Sequence, residues 1–151
     1  MTRSVIAVGV DDSEMSQKAL AWAAEEALRR SSTLELITTW GLESSQLGPS
    51  HSGPQEGESL EQAAEAMQRS AAEAVLSLMS TRPEVAYVVT QASPADALVT
   101  ASKDADLVVV GTHGRGPVRT FLFGSVAQTL LKQSHCPVVV IPPSMTDGAT
   151  D

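Results

Sequence analysis

The sequence predicts a single α/β domain built on a parallel β-sheet with helices on both of its faces. Two observations carry that expectation. Five short β-branched, apolar segments alternate with four segments of helical character, the order β-α-β-α-β-α-β-α-β, and strict alternation of this kind gives a sheet of parallel strands linked by crossover helices. The first segment, SVIAVGV (Ser4–Val10), is a near-continuous apolar run, which suits a strand covered on both faces.

Each element follows in order. After the first strand, DDSE supplies helix-start signals. Asp11 or Asp12 is the expected cap, and Glu14 stands three residues beyond Asp11. The first helix then runs from Glu14 to Arg30, rich in Ala and Leu. It ends on two arginines that suit its negative pole. TLELITTW (Thr33–Trp40) is the second strand. From Gly41 to Gly57 the composition turns to Ser, Gly, Pro, Gln and His, the signature of a long polar loop. The second helix places Leu60, Ala64, Met67, Ala71, Val75 and Leu78 on one face by spacing. EVAYVVT is the third strand, and the helix after Ser93 carries Pro94 at a favourable early position. DLVVV is the fourth strand, a helix covers Val126–Ser134, and CPVVVI is the fifth strand. The domain is expected over 1–143, with a frayed polar tail over 144–151.

Composition narrows the function. With 151 residues, 42% of them apolar, one domain can bury a core without staples. A net charge of −8 argues against general nucleic-acid binding, which needs a basic surface. Cys136 is the only cysteine, so neither an intrachain disulfide nor a thiolate metal cluster can form. No stretch approaches the length of about 20 apolar residues that a membrane span requires. The expectation is a cytoplasmic protein with no membrane partner.

The stretch GTHGRGPVRTFLFGS (Gly111–Ser125) is the strongest functional signal. In open parallel sheets, ligands bind beyond the carboxyl ends of the strands, where strand order reverses. Gly111 ends a buried strand, where it lets the chain turn and a ligand approach. Gly114 and Gly116 can take positive φ and turn successive N–H groups into one concavity. Gly124 and Ser125 stand at the entrance of the last helix, whose first N–H groups lack intrahelical partners and carry its positive pole. Singly, each residue is explained by a turn or a cap; together, at one end of one strand, they point to a polyphosphate. Two better-known motifs fail here. Pro117 follows Gly116 where a P-loop needs lysine, and Arg119 occupies the third glycine of a dinucleotide fingerprint.

The spacing Gly111-x2-Gly114-x9-Gly124-Ser125 resembles the ATP-binding signature of the universal stress proteins. The resemblance extends through IAVGVDDSEMSQKAL, SPADALVTASKDADLVVVGTHGRG and FLFGSVAQTLLKQSHCPVVVIP, leaving out the Gly41–Gly57 loop and the tail. It implies strand order 3-2-1-4-5 and a bound adenine nucleotide, ATP with Mg. It places Asp11 in the adenosine pocket, with the strand ends Val10 and Val110 beside it, and lets the backbone of Thr39 read the adenine edge. Gly111, His113 and Gly114 wrap the ribose and phosphates, and Gly124, Ser125 and the Val126 amide close on the phosphates. The family also implies a homodimer through the last strand, Pro137–Ile141. Two departures stand out: Ala92 replaces a usual glycine, and Thr38-Thr39 replaces a commoner His-Val pair.

Other residues are open to more than one account. Arg115 is counted with the phosphate contacts, while a solvated loop face explains it and Arg119 as well. Phe121 and Phe123 suit apolar anchors, and Cys136 a small buried residue. His51, His113 and His135 are too far apart in sequence to suggest a metal site. There is no Walker B pair and no placed catalytic base, so the expectation is a nucleotide-responsive regulator rather than a dedicated catalyst. The alternatives are a homodimeric interaction module without nucleotide, a slow ATP hydrolase, and a cyclic AMP binder.

Overall fold

A computed structural model describes residues 3–41, 58–113 and 123–144. The Gly41–Gly57 loop beyond its first residue, most of the 111–125 stretch and the tail beyond Ser144 lie outside the described residues. The chain runs β1 (Val5–Gly9), α1 (Glu14–Arg30), β2 (Thr33–Trp40), α2 (Leu60–Leu76), β3 (Glu84–Gln91), α3 (Pro94–Ser102), β4 (Leu107–Gly111), α4 (Ser125–Gln133) and β5 (Val138–Ile141). All five strands pair in parallel, in the order β3-β2-β1-β4-β5.

Alternation along the strands sorts side chains to the two faces. Ile6, Val8 and Val10 of the β1 segment, Leu34 and Leu36 of β2, and Leu107 and Val109 of β4 pack under α1 and α2. Ala7, Ile37, Val108 and Val110 point the other way, against Leu98 of α3 and Ala127 and Leu130 of α4. β1 and β4 are therefore apolar throughout because both faces are roofed.

The helices begin on serines. Ser13 caps α1, Ser59 caps α2 in a capping box with Gln62, and Ser93 caps α3 ahead of Pro94. The expected cap on Asp11 or Asp12 is thus corrected by one or two positions. Asp11 is committed elsewhere, because its Oδ1 accepts both the Ser13 N–H at 2.8 Å and the Ser13 hydroxyl at 2.5 Å. It braces the capping residue instead of capping the helix itself.

The core face of α2 holds in the main, with Ala64 and Ala71 buried and Met67 and Val75 packed half-buried against the core, and is corrected at Leu78. Its buried residues are Ala63, Ala64, Gln68, Ala71, Ala72 and Leu76. Leu78 is 85% exposed, because the helix ends at Leu76 and the chain beyond it leaves the helical face.

The exit of α1 carries a conformational cost. Ser31 has φ 53°, in the left-handed region, and Ser32 N–H reaches back to Ala27 O at 2.8 Å. This is a Schellman-type stop, in which glycine is the unstrained residue. Ser31→Gly is expected to stabilise the fold by about 0.5–1 kcal/mol, since a β-carbon is disfavoured there. A raised midpoint in thermal or urea unfolding checks this, and an unchanged or lower midpoint refutes it.

Candidate functional site

The strand order reverses at β1. Its neighbours are β2 and β4; β1 leads into α1 on one face, and β4 leads to α4 on the other. Their carboxyl ends therefore diverge to opposite faces and leave a crevice between them. Asp11, Thr39, Gly111 and His113 all stand at this edge.

The 111–125 stretch returns to the point it left. Gly124 N–H donates to Thr112 O at 2.6 Å, while Thr112 N–H donates to Ile141 O at 3.1 Å. The last helix thus starts against the exit of β4. A β-carbon on Gly124 would stand 3.2 Å from Thr112 O and 3.4 Å from His113 Cα. Glycine is required here because two backbones lie against each other. Nothing about the Gly124 torsions is unusual, with φ −72° and ψ 175°.

Gly111 has a comparable reason. A β-carbon there would come within 2.9 Å of Met15 Cβ and 3.2 Å of Met15 O, so this glycine lets the first turn of α1 seat on the end of β4. The expected approach of a ligand to Gly111 is thus joined by an approach of the protein to itself.

α4 differs from the other three helices. Its cap residue is Gly124, which has no side chain to bond the first turn as the capping serines do in α1, α2 and α3. Its N-terminal amides carry the partial positive charge of a helix start. Ser125 is exposed in the first turn and Val126 half-buried after it. Phe123 packs on the core below, and Gln128 Nε2 donates to Phe123 O at 2.7 Å, bracing the entry. The half-buried His113 sets Nδ1 3.2 Å from Thr112 Oγ1.

On the β1–β2 side the Val10 side chain is buried and its N–H is spent on Ile37 O at 2.9 Å; Val110 of β4 is buried on the opposite face of the sheet. Thr39 is half-buried beside Thr90 of β3. Thr38 is fully enclosed. Its hydroxyl donates to Val10 O at 2.9 Å and receives a bond from Gln68 of α2 at 3.1 Å. Helical spacing alone did not single out Gln68. A polar residue on an otherwise small apolar face, three to four positions from Ala64 and Ala71, was the available signal.

The structure therefore brings Val10, Asp11, Thr39, Val110, Gly111, His113, Gly124, Ser125 and Val126 to one edge of the sheet. Gly114 and Arg115 lie outside the described residues, as do Gly116, Arg119 and Phe121. Among the described residues no group of three or more His, Cys, Asp or Glu could hold a metal ion. No described helix is long and apolar enough to cross a membrane. Cys136 is half-buried, and burial pushes its thiol pKa upward, as suits an unreactive packing residue.

Residues 2–142 match the model of the universal stress protein family. A universal stress protein of Mycobacterium tuberculosis is 35% identical over 143 residues, which are 93% of this chain and 46% of the relative. The chain thus spans about half the length of the curated relatives it matches. Among solved structures, a universal stress protein in complex with cAMP superposes with a TM-score of 0.63 at 24% identity, covering 93% of this chain and 98% of that one. One from Archaeoglobus fulgidus in complex with dAMP gives 0.56 at 21% identity, covering 93% and 99%. These likenesses agree with the five-stranded parallel fold.

The contact at Gly111 makes a specific prediction. Gly111→Ala should destabilise the protein by about 1–3 kcal/mol through overpacking. Adding Met15→Ala should not rescue it, because the nearest atoms are Met15 Cβ and the Met15 backbone. Urea denaturation of the single and double variants checks this; full rescue by Met15→Ala contradicts the geometry.

Proposed function

This chain belongs to the universal stress protein family, and from that premise we propose that it binds an adenine nucleotide at the β1–β4 crevice and acts as a nucleotide-responsive stress regulator. The nucleotide is ATP, taken with Mg. The supporting observation is the 2.6 Å bond from Gly124 N–H to Thr112 O. It sets an uncapped helix start beside the exit of β4, where amides can hold phosphate oxygens without any basic side chain. That is how a chain of net charge −8 keeps a local anion site.

The remaining contacts follow the same edge. Asp11 Oδ1 is engaged by Ser13, so Oδ2 is the oxygen assigned to the ribose. The backbone of Thr39 takes the adenine edge. Val10 and Val110 flank the sugar, and Gly111, His113, Gly114 and Arg115 border the ribose and phosphates. Gly124, Ser125 and Val126 close on the phosphates. The bound cAMP and dAMP of the solved relatives favour the adenine class and make cyclic AMP the alternative ligand. The sequence has no Walker B pair and no placed general base, so the site is read as one for binding, not for dedicated hydrolysis.

A homodimer through β5 completes the proposal. β5 is an edge strand, and its half-buried valines continue the core to that edge. Val108 N–H bonds Pro137 O and Thr112 N–H bonds Ile141 O. Odd-numbered positions therefore serve β4, and the N–H groups of Val138 and Val140 face outward. Relatives about twice as long as this chain fit a unit that works in pairs.

Purified protein, heat-denatured and resolved by ion exchange, should release adenine nucleotide. Gly124→Glu should abolish binding, since its side chain sets a carboxylate where the phosphates sit. No released nucleotide, together with no calorimetric heat from Mg-ATP, would sink the ATP reading. Sedimentation should show a dimer, with Val140→Pro folded but monomeric; a Val140→Pro variant that still dimerises moves the interface elsewhere.

A further inference from the structure

We propose that Thr38 and Gln68 are positioning residues for the base end of the site, holding the Val10–Asp11 peptide on which the seating of adenosine depends. The inference rests on the adenine-nucleotide reading above.

Gln68 is 1% exposed and Thr38 2% exposed. Gln68 Nε2 lies 3.1 Å from Leu36 O, 2.9 Å from Val88 O and 3.1 Å from Thr38 Oγ1. Two of these partners are carbonyl oxygens, which only accept, so chemistry places the amide nitrogen and not its oxygen at this point. Val10 O likewise only accepts, so the one proton of Thr38 Oγ1 goes to it at 2.9 Å, and Oγ1 faces the Gln68 NH2, whose two protons are shared among three acceptors, as an acceptor. The chain of donors has a single direction, from α2 through β2 to the end of β1.

The same peptide is gripped on its other side. Asp11 N–H donates to Ser16 Oγ at 2.9 Å, within α1. Both polar atoms of the Val10–Asp11 peptide are thus bound by side chains from different elements, Thr38 of β2 and Ser16 of α1. This fixes the plane of the peptide, and with it the origin of the Asp11 side chain. Thr38 also precedes Thr39, whose backbone is assigned to the adenine edge, so one buried network sets both elements that face adenosine. The phosphate end rests on Thr112 and Gly124 instead and takes no bond from this network. In a low-dielectric interior hydrogen bonds are stronger than in water, and bonds of this kind hold their members to one arrangement.

A buried amide also seats α2 on the sheet, so the test needs a readout that packing alone does not move. Calorimetric titration of the full chain with AMP and with ATP supplies it. Thr38→Val removes the hydroxyl and keeps the shape. It should weaken AMP and ATP by the same factor, roughly tenfold for one lost buried hydrogen bond, with the ATP-to-AMP affinity ratio and the number of sites unchanged. Thr38→Ser should restore most of the loss. An unchanged AMP affinity in Thr38→Val, or a loss confined to ATP, overturns the inference. A reduced number of sites at unchanged affinity reports misfolding only and counts against it too. Wild-type protein that binds neither nucleotide fails the nucleotide reading itself and takes this inference with it. If Thr38→Val does not fold, hydrogen exchange on the wild type decides. AMP should slow exchange in α2 around Gln68 as well as at Asp11, and protection that leaves α2 untouched overturns the proposal.

Discussion

The candidate site depends on one short backbone contact, the hydrogen bond from Gly124 N–H to Thr112 O at 2.6 Å. It adds a direct backbone tie between the start of α4 and the end of β4 to the core packing of Ala127 and Leu130 on Val108 and Val110. With it, a helix start whose cap residue is a glycine stands beside a strand exit at the reversal of strand order. The rest of the edge is arranged around this join. Thr112 is tied on its other side to Ile141 of β5, and Gly111 admits Met15 so that α1 can seat. Glycine is demanded at both places by close approach, since a β-carbon would meet backbone at 124 and the base of a side chain at 111.

The opposite end of the crevice is organised by side chains. Ser13, Ser16, Thr38 and Gln68 consume polar atoms around the Val10–Asp11 peptide, each through a hydrogen bond of its own. Backbone amides suit a ligand end that carries negative charge and can slide between oxygens. A buried side-chain network suits an end where a base must meet one fixed edge. The division between the two ends follows from which strand each belongs to.

The fold was legible in the sequence because its signals are local. Strand runs such as SVIAVGV and the Ala- and Leu-rich helix from Glu14 to Arg30 declare themselves within a few residues, and α1 has those bounds in the structure. The strand order was legible only through the resemblance, since pairing between β1 and β4 joins segments about a hundred residues apart. The spacing of Gly111, Gly114, Gly124 and Ser125 marked the proposed phosphate end. It did not show that Gly111 faces Met15, because that contact depends on how α1 packs. Asp11 carried every mark of a cap, yet Ser13, directly before Glu14, takes that role and Asp11 braces it. Gln68 stayed hidden because an amide at helical spacing reads as solvent-facing until the carbonyls it meets are known.

The central claim is that the two ends of one crevice hold one adenine nucleotide. Amide chemical-shift mapping during titration with Mg-ATP tests it most directly. The account predicts that Gly124, Ser125 and Val126 at the start of α4 shift with the same saturation curve as Asp11 and Thr39 at the ends of β1 and β2. Shifts at only one of these groups, separate saturation curves for the two, or shifts centred elsewhere on the sheet would contradict it.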